Sequence, residues 1–199
     1  VPDYFSLTEL RAMPQMSDTV KYPTDRCEAA AAHIVGIIER ECATSFVART
    51  RTAVLDGTGT TQVVLPSGFV RDVVAVSVDG TAVTGETFTA RGGILRRYAT
   101  GSTTPGTWPA GVENIDVEWL DGYSDEPPAD VKEAALRGTR AYLVSTMSSS
   151  LMDDRRTSLS TEQGTISFVV PGAKNPTGYP EVDAVINAWA ERLGVFGFA

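Results

Sequence analysis

The hydrophobic period of this chain changes twice, and each change marks a border that the fold must respect. From Asp25 to Ala43, Cys27, Ala31, Ile34, Ile38 and Cys42 recur at three- and four-residue steps, the spacing of one buried helix face. From Val47 the period drops to two. It is still two at Asn114-Ile-Asp-Val-Glu-Trp-Leu120, where apolar and polar side chains alternate as in a half-buried strand. Asp121-Gly-Tyr then reads as a turn, and Pro127-Pro128 opens a second long helical stretch, Ala129 to Met147. Strands joined by short turns and flanked by helices imply an antiparallel sheet inserted into a helical unit.

Local signals fill in this outline. Ser6-Leu-Thr-Glu9 is a capping box for a short helix that Pro14 stops, and Asp25-Arg-Cys-Glu28 reads as a second box. Strands are expected at 47–55, 61–65, 69–78, 83–90, 94–98 and around Val117, with turns at Asp56-Gly-Thr-Gly and Asp79-Gly80. A further strand is expected over Thr165 to Val170. Val182, Val185, Ile186, Trp189 and Leu193 form the apolar stripe of a last helix. The expected fold is α+β: a helical bundle of about four helices carrying an inserted antiparallel β-sheet or small barrel. The helical core takes 1–46 and 124–199, with a flexible polar arm at 148–164, and the β subdomain takes 47–123.

The chain carries little of what catalysis needs. His33 is the one histidine, placed mid-helix between Ala32 and Ile34, so a Ser-His-Asp or Cys-His arrangement has no second member nearby. Cys27, His33 and Cys42 lack metal-ligand spacing. On one helix the two cysteines lie roughly 22 Å apart at ~1.5 Å rise per residue, too far for a disulfide, and they read as small buried apolar groups. The glycine-rich pieces lack a phosphate-loop lysine and read as turns. Asp18, Asp116, Asp121, Asp125 and Glu126 could pair as hydrolytic carboxylates. Yet Asp116 and Glu118 share the wet face of a strand, and Asp125, Glu126 and Asp130 surround a helix start, where negative charge is favoured. No catalytic, metal or cofactor residue is expected.

The net charge is −8, spread along the chain: seven acidic against four basic residues in 1–46, eight against six in 47–123, ten against seven in 124–199. Such a surface repels phosphate and argues against wrapping DNA or RNA. The basic pairs Arg96-Arg97 and Arg155-Arg156 do not change that balance, since Asp153 and Asp154 adjoin the second. No run of eighteen apolar residues and no basic-then-apolar leader is present, so a soluble protein without a membrane partner is expected.

The helix from Ala129 to Met147 has two apolar sides. Val131, Ala135, Gly138 and Tyr142, with Ala134 and Ala141 beside them, form one; Leu136, Leu143 and Met147 form the other. Either both are buried within one subunit, or the small side (Ala134, Ala135, Gly138, Ala141, Tyr142) meets a second copy. The polar arm and the tail Gly194-Val-Phe-Gly-Phe-Ala199 would likewise order against a neighbour. Candidate docking residues are Arg155 and Arg156 in the arm, Trp189 on the last helix, and Val195, Phe196 and Phe198 in the tail.

Four stretches, taken in order, carry a family resemblance: the helix ending "IIERECATSF" with "VARTRTAVLDG" after it, "VRDVVAVSVDG" at 70–80, the junction "VEWLDGYSDEPPADVKEAAL", and "TEQGTISFVV" leading to "PTGYPEVDAVINAW". In these the chain resembles the head–tail connector (adaptor) proteins of tailed bacteriophages, and its larger β insertion resembles versions found in phages of actinobacteria. The resemblance implies a structural virion protein and no enzyme. Copies would form a ring, commonly of twelve, docked on the portal protein and meeting the next tail-side connector protein (stopper). Double-stranded DNA would pass through without sequence-specific binding. The place would be the head–tail neck, after assembly in the host cytoplasm. The rival readings are a head-completion stopper or tail terminator, and a small metal-dependent hydrolase using the acidic loops.

Overall fold

The computed structural model describes residues 4–147, 158–161, 164–167 and 175–194. The chain divides into two compact units, Val1–Ala43 with Glu126–Ala199, and Thr44–Asp125. The first begins with α1 (Leu7–Ala12) and α2 (Thr24–Glu41). The second holds β1 (Arg49–Thr58), β2 (Val63–Val64), β3 (Val70–Val78), β4 (Thr81–Ala82), β5 (Glu86–Arg91), β6 (Ile94–Ala99) and β7 (Ala110–Asp121). The first then resumes with α3 (Ala129–Met147), β8 (Ser158–Thr161), β9 (Gly164–Ser167) and α4 (Pro180–Gly194). The fold is α+β with antiparallel sheets. The described strands form open sheets, in orders β1-β7-β3-β4, β2-β6-β5 and β8-β9, and not the closed small barrel that the sequence left open.

The Ser6 box forms as expected: the Glu9 amide donates to Ser6 Oγ at 3.2 Å, and the Ser6 amide donates to Glu9 Oε2 at 2.7 Å. The Asp25 box does not. Helix α2 starts two residues earlier than that box would set it, with Pro23 as an extended N-cap that offers no side-chain acceptor, and its first bond runs from the Cys27 amide to the Pro23 carbonyl. Asp25 sits inside the first turn, where its charge favours the helix dipole but cannot cap. The stripe Cys27, Ala31, Ile34, Ile38 and Cys42 is buried throughout, each isoleucine contributing about 1.5–3 kcal/mol.

The small side of α3 is occupied within the chain. Ala134 and Ala135 are buried, and a Cβ on Gly138 would stand 2.9 Å from Ile34 Cγ2 and 3.4 Å from Val182 Cγ2. Glycine here lets α3 close on both α2 and α4. Thr139, fully buried, satisfies its hydroxyl by donating to the Ala135 carbonyl at 2.7 Å. The second apolar side is buried at Leu143 and half-buried at Leu136. At the other end of α2, Cys42 Sγ lies 3.8 Å from the Ile186 carbonyl on α4.

In the β unit, the four-stranded and three-stranded sheets share one core of Val63, Leu65, Val76, Leu95, Trp108, Ile115, Val117 and Trp119. Both indole N–H groups are buried without a hydrogen-bond partner, at a cost of ~1–3 kcal/mol each. Removing a tryptophan's ~150–250 Å² from water outweighs that, at ~25 cal/mol per Å². Asp79 (φ 49°) and Gly80 (φ 73°) make the expected tight hairpin between β3 and β4. Asp56-Gly57 is not the turn. It lies within β1, opposite a bulge in β7: the register steps from Leu55↔Ile115 to Gly57↔Gly111, the Gly57 amide donates to Asn114 Oδ1 at 2.8 Å, the Glu113 amide donates to Asp56 Oδ1 at 2.7 Å, and a Cβ on Gly57 would collide with the Pro109 carbonyl.

Part of the expected arm is paired. Ser158–Thr161 lies antiparallel to Gly164–Ser167, so 158–161 belongs to a hairpin and the strand expected over 165–170 begins at Gly164. Residues 148–157, 162–163 and 168–170 lie outside the described residues.

Two outcomes follow from the helical unit. Gly138→Leu is expected to lower the stability of the isolated chain by about 1–3 kcal/mol, read by circular dichroism melting, because overpacking forces α3 away from Ile34 and Val182. An unchanged melt would refute that packing. The second concerns Glu9, whose Oε1 lies 2.6 Å from Lys132 Nζ on α3. Lys132, then the Ser6 amide and hydroxyl, hold its carboxyl at about 2 against an ordinary 4.5. A depressed carboxyl stabilises fully above the unfolded value and loses that contribution as pH falls through the folded one. Glu9→Gln should therefore melt below the wild type at pH 7, with the gap closing between pH 4.5 and about 2. A gap that persists at pH 2 would count against this linkage.

Candidate functional site

The carboxylates that could have formed a catalytic corner are dispersed into structural tasks. Asp121, buried at the end of β7, receives Arg51 Nε at 2.8 Å and the Ser67 hydroxyl. Asp125 receives Arg71 Nη1 at 2.5 Å, which holds its carboxyl below the usual range. Asp130 ties the start of α3 to α4: Oδ1 accepts the Val131 amide and Oδ2 accepts Trp189 Nε1 at 2.8 Å. Asp18 accepts the amides of Lys21 and Val20 at 2.9 Å, and those bonds lower its pKa. Glu126 is exposed. Among the described residues no group of three His, Cys, Asp or Glu side chains could hold a metal ion.

The nucleophile candidates are equally quiet. His33 is exposed on α2, its ring 4.8 Å from that of Tyr142. Cys27 and Cys42 are free and buried. Burial, aided by the Glu41 charge, pushes the Cys42 thiol up to about 11, and burial raises Cys27 as well. Both thiols stay protonated at neutral pH and are poor nucleophiles.

Of the residues expected to meet a second copy, Ala134, Ala135 and Gly138 face inward, as described. Ala141 is half-buried, and Tyr142, also half-buried, lies against His33 with the two rings tilted by 38°. Trp189, expected at a docking surface, is 6% exposed: its indole donates to Asp130 and Arg192 Cζ lies 4.8 Å over its ring. It packs the helical unit. Arg155, Arg156, Val195, Phe196 and Phe198 lie outside the described residues.

The β unit presents two outward surfaces that sequence reasoning did not single out. The four-stranded sheet points Ala53, Val76 and Val117 into the core and turns the alternate residues out. Val54 pairs with Asp116 and Thr52 with Glu118, while Ala75 and Ser77 face the same two acids from β3. These residues, with Ala82, line a trough of about 530 Å³. Small neighbours make it concave. The three-stranded sheet turns out Arg91 opposite Ile94, Arg96 opposite Thr89, and Tyr98 opposite Thr87, beside the 68%-exposed Val64. The alternation that marks each outward residue was visible in the sequence. The strand order that gathers them into two faces was not.

No family model matches the chain, and no curated protein is similar to it. Solved structures are. The chain is similar to one in the neck of an empty GTA particle computed with C6 symmetry, with TM-score 0.56 and 18% identity over 95% of this chain and 88% of that one. It is similar to another in the virion of a native gene transfer agent (GTA) particle, again with TM-score 0.56 and 18% identity, over 95% of this chain and 91% of that one. At such identity the likeness is one of fold, and it takes in nearly the whole of this chain.

Proposed function

We propose that the chain is a structural virion protein of the neck, a head-to-tail adaptor whose copies form a ring under the portal. The observation that carries this is the fold likeness over 95% of the chain to a protein in the neck of a GTA particle, whose structure has C6 symmetry. The sequence resemblance to head–tail connectors was drawn from different information, the order of four local motifs, and it supports the same reading. Catalysis has no support from the described residues: the carboxylates brace the fold and the thiols are buried.

In this reading double-stranded DNA passes through the ring to the tail without being read. A net charge of −8 suits that task, since a wall that attracted phosphates would retard the DNA it must release. The arm residues Arg155 and Arg156 and the tail residues Val195, Phe196 and Phe198 are the segments proposed to engage the portal and the next tail-side protein. The half-buried pair Ala141 and Tyr142 is the part of the α3 surface still open to a neighbouring subunit.

Native mass spectrometry of the chain with and without the portal protein of the same particle tests this. The expected result is a multi-copy assembly, of twelve copies in the adaptor reading, bound directly to portal. A chain that stays monomeric with portal present would overturn it. A ring that forms without binding portal would instead place the chain in another layer, as a stopper or tail terminator.

A further inference from the structure

The two outward faces of the β unit differ in charge. On the four-stranded sheet, Asp116 and Glu118 lie on the floor of the trough. Asp116 accepts one hydrogen bond, from Ser77 Oγ at 3.0 Å. Glu118 makes no ion pair or side-chain hydrogen bond among the described residues. The outward face of the three-stranded sheet carries Arg91 and Arg96, which likewise make none, set among Ile94, Tyr98 and Val64. Three other arginines of this unit turn back onto its own acids: Arg51 onto Asp121, Arg71 onto Asp125, and Arg97 onto Glu86. Two arginines therefore sit opposite-signed to two carboxylates, on different sheets of one sandwich.

We propose that these faces meet between copies, the arginine-bearing face of one chain seating in the acidic trough of the next. The shapes agree with the charges. The trough is lined by Ala, Ser, Thr and Val side chains, short enough to admit the longer Arg96, Tyr98 and Ile94 of a facing sheet. Exposed Val54 and Val64 then leave water on opposite sides of the contact. Because the two surfaces are different, the contact is heterologous, and repeated around an axis it generates a ring rather than a closed dimer. The contact rests on the ring reading, since it requires copies side by side. It adds which surfaces touch.

Charge reversal tests it in the same native mass spectrometry experiment. One variant carries Asp116→Lys and Glu118→Lys, another Arg91→Glu and Arg96→Glu, and a third all four changes. All four positions are on the outward faces, and circular dichroism checks that each variant folds. Each double variant alone is expected to weaken association by about tenfold or more, as like charges face each other across the contact. An equimolar mixture of the two, and the fourfold variant alone, should regain assembly, because each restores opposite charges. Wild-type assembly should weaken with added salt. If the wild type assembles and both double variants assemble equally well, this contact is wrong and the ring reading stands. If the double variants fail and neither the mixture nor the fourfold variant recovers, the pairing is wrong as well. If the wild type itself never assembles, the ring reading fails and takes the contact with it.

Discussion

The pairing of β1 with β7 is the constraint on which the rest of the structure depends. Thr44–Asp125 is a long excursion from the helical segments, and its two ends are clamped together. The Ala48 amide donates to the Ser124 carbonyl at 2.8 Å, the Tyr123 amide donates to the Ser45 carbonyl at 2.9 Å, and the ladder continues from Arg49↔Asp121 to Thr58↔Ala110. Loop closure costs rise only slowly with length, so a long insertion is tolerable if its ends are held. The same ladder supplies the centre of one side of the β core, since Ile115, Val117 and Trp119 lie on β7, between β1 and β3. The second dependence is the missing side chain at Gly138. It lets α3 approach Ile34 on α2 and Val182 on α4, elements far apart in sequence.

Much of this architecture was legible because periodicity reports burial directly. The change to period two at Val47 and back after Pro127-Pro128 located the inserted sheet, and α3 appears with the bounds its spacing implied. What was not legible depends on partners distant in sequence. Asp56-Gly57 has the composition of a turn, yet it continues β1 because Asn114, in the bulge of β7 opposite, supplies an acceptor to the Gly57 amide. Asp25 has the spacing of a capping box, but burial of Cys27 and the fixed φ of Pro23 accompany a helix start two residues earlier. Small residues on α3 look the same in sequence whether the neighbour is the same chain or another, and the packing of Val182, in a different helix, against Gly138 is not visible there.

The candidate site shows the same division. One histidine and two cysteines on a single helix were legible in the sequence as a poor start for a catalytic set. The use of Asp121, Asp125 and Asp130 could not be read locally, because their partners Arg51, Arg71 and Trp189 are between 54 and 70 positions away. A carboxylate beside a turn invites a chemical reading when its partner is unseen. With the partner in place it is a strut, and its charge is used to hold a strand end or a helix start.

Within the β unit, the charges therefore sort by what surrounds them rather than by type. Arg51, Arg71 and Arg97 turn back onto acids of the same unit, and Arg97 additionally lies 5.4 Å over the ring of buried Trp108. Side chains used this way are fixed by the fold and contribute little to a surface. Arg91, Arg96 and Glu118, by contrast, make no such pair among the described residues and stand on outward faces that are otherwise short or apolar. A purely solubilising surface has no need to segregate sign between two sheets, since mixed charges serve solubility equally well. Segregation has a physical use when a surface must meet an unlike surface and reject its own kind. That is the requirement a subunit faces when it contacts its neighbours head to tail.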